Sequence, residues 1–174
     1  MRKHAQDTAQ LWSPYPDWTH AVIEKDGWLA RPILGFHQLT VNGNVGAARA
    51  ALAPEAKEVG LWGVAEGDPY LVRLAHDRAL LVSQHPVQTV GTWQAAGWVA
   101  SGSNDATLLF GLSGAAVGLV VSEATSANLS SGSPSASVLF AGVTVALYRS
   151  SDDCACVHVA TDLAPYLWRW LETR

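Results

Sequence analysis

The chain has 174 residues, 49% of them hydrophobic and 15% charged, with 11 Lys and Arg against 15 Asp and Glu for a net charge of −4. An average domain is about 25% charged, so this composition excludes a disordered chain, and the acidic balance argues against a nucleic-acid partner. A surface this short of solvating groups, in a chain with eight tryptophans, points instead to contact with another protein.

Residues 1–27 open with Arg2, Lys3 and His4 but no apolar run follows, so no secretory leader is expected. The prolines and aromatics of Ser13-Pro14-Tyr15-Pro16-Asp17-Trp18 suit an extended arm, lying across the domain or across a partner. Residues 28–174 form one compact α+β domain, divisible into lobes at 28–92 and 93–174. Asn42-Gly43-Asn44 reads as a turn and alanine-rich 45–52 as a helix stopped by Pro54. Strands are expected at 59–65, 70–74 and 78–83, joined by Glu66-Gly67-Asp68-Pro69 and by Ala75-His76-Asp77.

In the second half, 97–101 and 106–112 read as strands around a Gly102-Ser103-Asn104-Asp105 turn. Ser113 is placed to cap a helix over 115–123, and the polar stretch 126–135 is a loop. A hairpin follows, 137–140 and 143–148 about Ala141-Gly142, then a strand at 155–160. Thr161 or Asp162 caps a last helix whose Leu163, Leu167, Trp170 and Leu171 follow a core-facing spacing. Strands followed by covering helices make an α+β fold of antiparallel sheets. The longest apolar run, 108–121, is interrupted by Gly111, Ser113, Gly114 and Gly118 and is short of the ~20 residues of a membrane helix.

Chemical signatures are sparse. There is no phosphate-binding glycine loop and no nucleophile elbow, since Leu112-Ser113-Gly114 lacks the leading glycine. Cys154, Cys156 and His158 share one face of a strand, but a tetrahedral zinc site needs ligands from a second element as well, so small buried side chains and a rim histidine are expected. The two cysteines suit a reduced, cytoplasmic chain. His76-Asp77 has the residue types of a tight turn, as do Asp68 and Asp152-Asp153. His4, His20, His37 and His85 stand in no motif. No catalytic residue and no metal ligand is assigned.

The closing segment Tyr166-Leu167-Trp168-Arg169-Trp170-Leu171 resembles the C-terminal Tyr-Leu-Trp-x-Trp-Leu helix of the gamma subunit of heterotetrameric sarcosine oxidase. Leu112-Ser113-Gly114-Ala115-Ala116 is similar to that family's strand running into a Gly-x-Ala helix start. The stretch 137–145 and Tyr148-Arg149 are similar to its hairpin. Residues 95–174 carry the likeness. The chain departs from the pattern at Asn128, where an Asp would stand, and lacks the Lys-Gly-Cys of the stand-alone folate proteins.

The resemblance implies ferredoxin-like lobes of the aminomethyltransferase, folate-binding type. It implies a non-catalytic subunit of a complex that oxidatively demethylates sarcosine or a related N-methyl amine, passing one carbon to tetrahydrofolate. FAD, FMN, NAD, tetrahydrofolate and zinc would belong to other subunits, with large folate-binding and flavin-binding chains as partners. Trp12, Tyr15, Trp18, Tyr166 and Trp168 are the contact residues expected. A stand-alone folate binder is the alternative, with Glu66 or Glu123 as the carboxylate that meets the pterin.

Overall fold

Residues 78–83 show how the molecule is layered. Leu80 and Val82 join one hydrophobic cluster, while Ala79 and Leu81, pointing the opposite way, join another. Both faces of this strand are buried, one under a helix and one under a second sheet. The computed structural model describes residues 16–174, so Trp12, Tyr15 and most of the expected arm lie outside the described residues.

In chain order the elements begin with β1 (Ile23–Lys25), β2 (Trp28–Ile33), β3 (His37–Gly43), α1 (Val45–Leu52) and β4 (Lys57–Val59). They continue with β5 (Tyr70–Ala75), β6 (Arg78–Ser83), β7 (Trp98–Gly102), β8 (Thr107–Ser113) and α2 (Val117–Ala124). The chain ends with β9 (Ser137–Phe140), β10 (Val143–Ser151), β11 (Cys154–Ala160) and α3 (Ala164–Glu172). One sheet has the order β1-β2-β8-β11-β10-β9 and the other β4-β5-β6-β3-β7. All pairings are antiparallel except β4 with β5.

The fold is α+β, and both sheets carry the ferredoxin-like strand order. In the second sheet β7-β3-β6-β5 reads fourth, first, third, second, with α1 after the first strand. In the first sheet β8, β10 and β11 take the first three places, with α2 after β8, and β2 from the N-terminal side fills the fourth. The lobes therefore interleave. The division at 92 gives way to a second sheet drawn from 37–102 and a first sheet drawn from 23–33 and 107–160. Within the span expected as an arm, Ile23–Lys25 is instead a strand, paired with β2 across the Asp26-Gly27 turn.

Three hydrophobic clusters follow from this layering. The outer face of the first sheet packs under α2 and α3 through Phe110, Leu112, Val121, Val157, Leu167 and Leu171. The outer face of the second packs under α1 through Leu39, Val41, Ala48 and Leu81. The third cluster lies between the sheets.

Several expectations hold closely: α1, β5, β6, and the β9–β10 hairpin with Ala141 and Gly142 both at positive φ. Others need correction. The strand expected over 59–65 ends at Val59, because a Cβ at Gly60 would overlap the Ser133 carbonyl and Trp62 takes a φ of 59°. Ser113 caps nothing. It ends β8, paired with both Leu29 and Cys154, and the helix starts later at Val117 without a side-chain cap. Neither Thr161 nor Asp162 caps α3. Its N-cap is Leu163, and the Thr161 hydroxyl donates to the Asp105 carbonyl. Asn42-Gly43 ends β3, while Asn44 caps α1 by accepting the Ala47 N–H at 3.0 Å.

Candidate functional site: the cleft between the sheets

The facing surfaces of the two sheets are set by parity. From the second sheet come Gln38 and Thr40 on β3, Tyr70 on β5, and Arg78, Leu80 and Val82 on β6. The first sheet contributes Tyr148 on β10, Cys156 and His158 on β11, and Thr107 on β8. Most of this interior is aliphatic, but one line of polar atoms crosses it.

Tyr70 Oη lies 2.9 Å from Tyr148 Oη, and Tyr148 Oη lies 2.8 Å from His158 Nε2. His158 Nδ1 is 2.9 Å from Gln38 Oε1, which also accepts the Thr107 hydroxyl at 2.8 Å. Gln38 Oε1 can only accept, so His158 carries its proton on Nδ1 and donates it there. Nε2 then accepts from Tyr148, and Tyr148 accepts from Tyr70. The order of donors is thus fixed from Tyr70 on the second sheet, through Tyr148 and His158 on the first, back to Gln38 on the second.

Every member of this chain is neutral. Burial holds the His158 imidazole down to about 3 and pushes the Tyr70 and Tyr148 phenols well above their ordinary range. Burial likewise raises the Cys156 thiol. These are groups with satisfied hydrogen bonds and suppressed ionisation, which is the chemistry of a structural seam rather than of an acid–base pair. The arrangement pins the register of one sheet on the other.

The seam does not fill the cleft. A cavity of about 380 Å³ is lined by Thr40, Arg78, Ser137, Thr144, His158 and Ala160. A second, also of about 380 Å³, is lined by Phe36, Gln38, Asn104 and Leu109, among others. Thr107 lines both.

The residues expected at the contact surface are dispersed. Trp168 is only 3% exposed and belongs to the core under the first sheet, packed on Phe110 at 5.3 Å between ring centroids. It lies on the buried stripe with Ala164, Leu167 and Leu171. Leu163 precedes the helix and is exposed, and Trp170 sits half-buried against Phe140. The helix face is thus rotated from the expected one because the small Ala164 marks its contact line. Trp18 is half-buried and packs on Phe110 and Trp168 at 5.6 and 5.7 Å. Tyr166 is 52% exposed, its hydroxyl donating to the Ala141 carbonyl at 2.8 Å. Of the five expected residues, Tyr166 alone is found at the surface among the described residues.

The weaker candidates resolve as turns and surface pairs. His76 and Asp77 sit 3.6 Å apart in an exposed turn, Glu66 pairs with Lys57, and Glu123 is exposed on α2. Asp68 accepts the Gln84 N–H. Cys156 and His158 look into the cleft, with Cys154 half-buried at the strand end. Among the described residues no three His, Cys, Asp or Glu side chains gather as a metal site. One signal of the seam is local: His158 alternates with Val157 and Val159, which puts a polar ring on one face of a strand whose other face is apolar.

The fold is similar to that of a sarcosine oxidase chain. A chain of heterotetrameric sarcosine oxidase from Corynebacterium sp. U-96, in complex with pyrrole 2-carboxylate, matches with a TM-score of 0.64 at 17% identity. The match covers 87% of this chain and 85% of that one, so the two are of nearly equal length. Similarity at this identity shows a related fold. No protein-family profile and no curated protein sequence matches the chain. Among the described residues no helix is long and apolar enough to cross a membrane.

Proposed function

We propose that this chain is a gamma-type accessory subunit of a sarcosine oxidase-like flavoenzyme complex. The observation that carries the reading is the near end-to-end match to a chain of similar length from a heterotetramer. The complex would oxidatively demethylate sarcosine or a related N-methyl amine, with one-carbon transfer to tetrahydrofolate. The flavins, NAD, tetrahydrofolate and zinc would be held by other subunits. This chain would contribute ordered surface to its large folate-binding and flavin-binding partners in the cytoplasm.

The interior chemistry supports a non-catalytic part, since its titratable groups are buried and held neutral. A partner surface is supported by Tyr166 and by Leu139 on the edge strand β9, which is 62% exposed. Edge strands of this kind offer unpaired backbone groups to a neighbour. Trp12 and Tyr15 stay in the proposal as contacts from the N-terminal arm.

The folate-binder alternative gains nothing from the cleft. A pterin needs a carboxylate to receive its N–H donors, and the cavity lining offers a guanidinium and hydroxyls instead. The test is size-exclusion chromatography with light scattering, on the chain alone and after co-expression with candidate large flavoprotein subunits. Stable co-elution with a yellow flavoprotein is the expected result. A monomer that ignores those subunits would overturn the reading.

A further inference from the structure

The open end of the cleft carries a charge that the described residues do not balance. Arg78 begins β6 with the parity of Leu80 and Val82, so its side chain stands on the face turned toward the first sheet. Among the described residues it has no ion pair and no hydrogen bond to its guanidinium. The contrast with its neighbours is direct. Arg73 is held by Glu58 at 2.6 Å, and Arg149 by the Trp62 carbonyl at 3.0 Å and by Asp152 at 3.3 Å.

Four hydroxyls line the same cavity; that of Thr107 is engaged by Gln38, while those of Thr40, Ser137 and Thr144 have no hydrogen-bond partner among the described residues. Beyond them the walls are aliphatic, from Leu74, Leu80, Ala146 and Ala160. His158 closes the cavity with both ring nitrogens already engaged by Tyr148 and Gln38. The lining holds no carboxylate. A cationic fork and free hydroxyls thus stand before an aliphatic chamber of about 380 Å³, within the roughly 300–1,000 Å³ range of small-molecule sites.

We propose that this cleft binds an aliphatic monocarboxylate, with the carboxylate on Arg78 and the hydrocarbon chain between the sheets. The planar guanidinium matches a carboxylate through two parallel N–H···O bonds, and the hydroxyls supply further donors. The aliphatic walls favour an apolar body and give nothing to a bare inorganic anion. An aromatic ring would find no aromatic wall to stack on apart from the His158 imidazole.

The test titrates hexanoate, hexanamide and inorganic phosphate into the full chain, following heat release and the His158 ring proton signals. It needs no partner subunit, so its outcome is separate from that of the assembly experiment. Hexanoate is expected to bind and to shift the His158 signals, with phosphate at least tenfold weaker. Arg78→Gln, at an exposed strand end, should weaken hexanoate about tenfold or more, a loss of about 1.4 kcal/mol, and leave hexanamide unchanged. Ala160→Leu, which fills the chamber from a half-buried position, should weaken both organic ligands. Arg78→Lys should fall between wild type and Arg78→Gln and serves if the glutamine variant does not fold. Absence of hexanoate binding, equal binding of phosphate, or an Arg78→Gln chain that binds hexanoate as tightly as wild type would each overturn the proposal.

Discussion

Tyr148 and His158 stack on adjacent strands with ring centroids 5.6 Å apart and planes at 20°, while the Tyr148 hydroxyl reaches His158 Nε2 at 2.8 Å. The pair sits at the centre of a chain of hydrogen bonds that begins at Tyr70 on one sheet and ends at Gln38 on the same sheet, passing through the other between them. Removing its middle member breaks two bonds at once. Tyr148→Phe keeps the ring and strands Tyr70 Oη and His158 Nε2 without partners. A loss of about 2–3 kcal/mol is expected by urea unfolding. A loss under about 0.5 kcal/mol would mean that water replaces the hydroxyl.

The seam also sets a pH dependence. His158 is held down to about 3 in the folded chain against 6.5 for an unperturbed side chain. Below about pH 6.5 the unfolded chain therefore binds a proton that the folded chain refuses. Stability from this group is fully present above about pH 7 and declines as pH falls toward 3. The slope approaches about 1.4 kcal/mol per pH unit for one proton. Comparing wild type with His158→Gln isolates this slope from the carboxylates. Parallel stability curves between pH 7 and 4 would show that His158 is protonated or solvated in the folded chain.

Gly114 turns the chain from β8 into α2 at a φ of +122°, and an added Cβ would collide with the Gly27 carbonyl and lie 2.9 Å from Trp28 Cα. Gly114→Ala is expected to cost about 2 kcal/mol or more, because the strained φ and the backbone clash act together. Gly118→Ala is the control, inside the helix that follows and with open space around it. It should stabilise slightly, by about 0.5–1 kcal/mol. Equal effects at the two positions would refute the close approach of the Gly27–Trp28 turn.

Trp168 and Tyr166 separate the core of α3 from its surface. Trp168→Ala empties a site between Trp18 and Phe110 and should cost about 3–5 kcal/mol in unfolding experiments. Tyr166→Ala removes one exposed hydrogen bond and should cost under about 1.5 kcal/mol. On the accessory-subunit reading it weakens co-elution with the large subunits. Unchanged assembly with Tyr166→Ala would move the contact surface away from α3.

The residues themselves determined much of the local structure. Short apolar runs bounded by turn residues marked β6, β8, β10 and β11, alanine content marked α1, and Ala141-Gly142 marked the hairpin, because these signals need only neighbours within one or two turns of chain. The Tyr-Leu-Trp-x-Trp-Leu ending likewise pointed to a fold that the structural similarity supports. What sequence left open depended on distant chain segments. Strand β2 joined the first sheet although 37–102 separates it from β8. Trp168 rather than Trp170 turned inward because Ala164 allowed α3 to approach along a rotated face. Gln38, Tyr70, Tyr148 and His158 lie up to 120 residues apart and carry no common motif. Only the stacking of two sheets, with side chains alternating across each, brings their polar atoms into one line and leaves Arg78 at the mouth of the cleft.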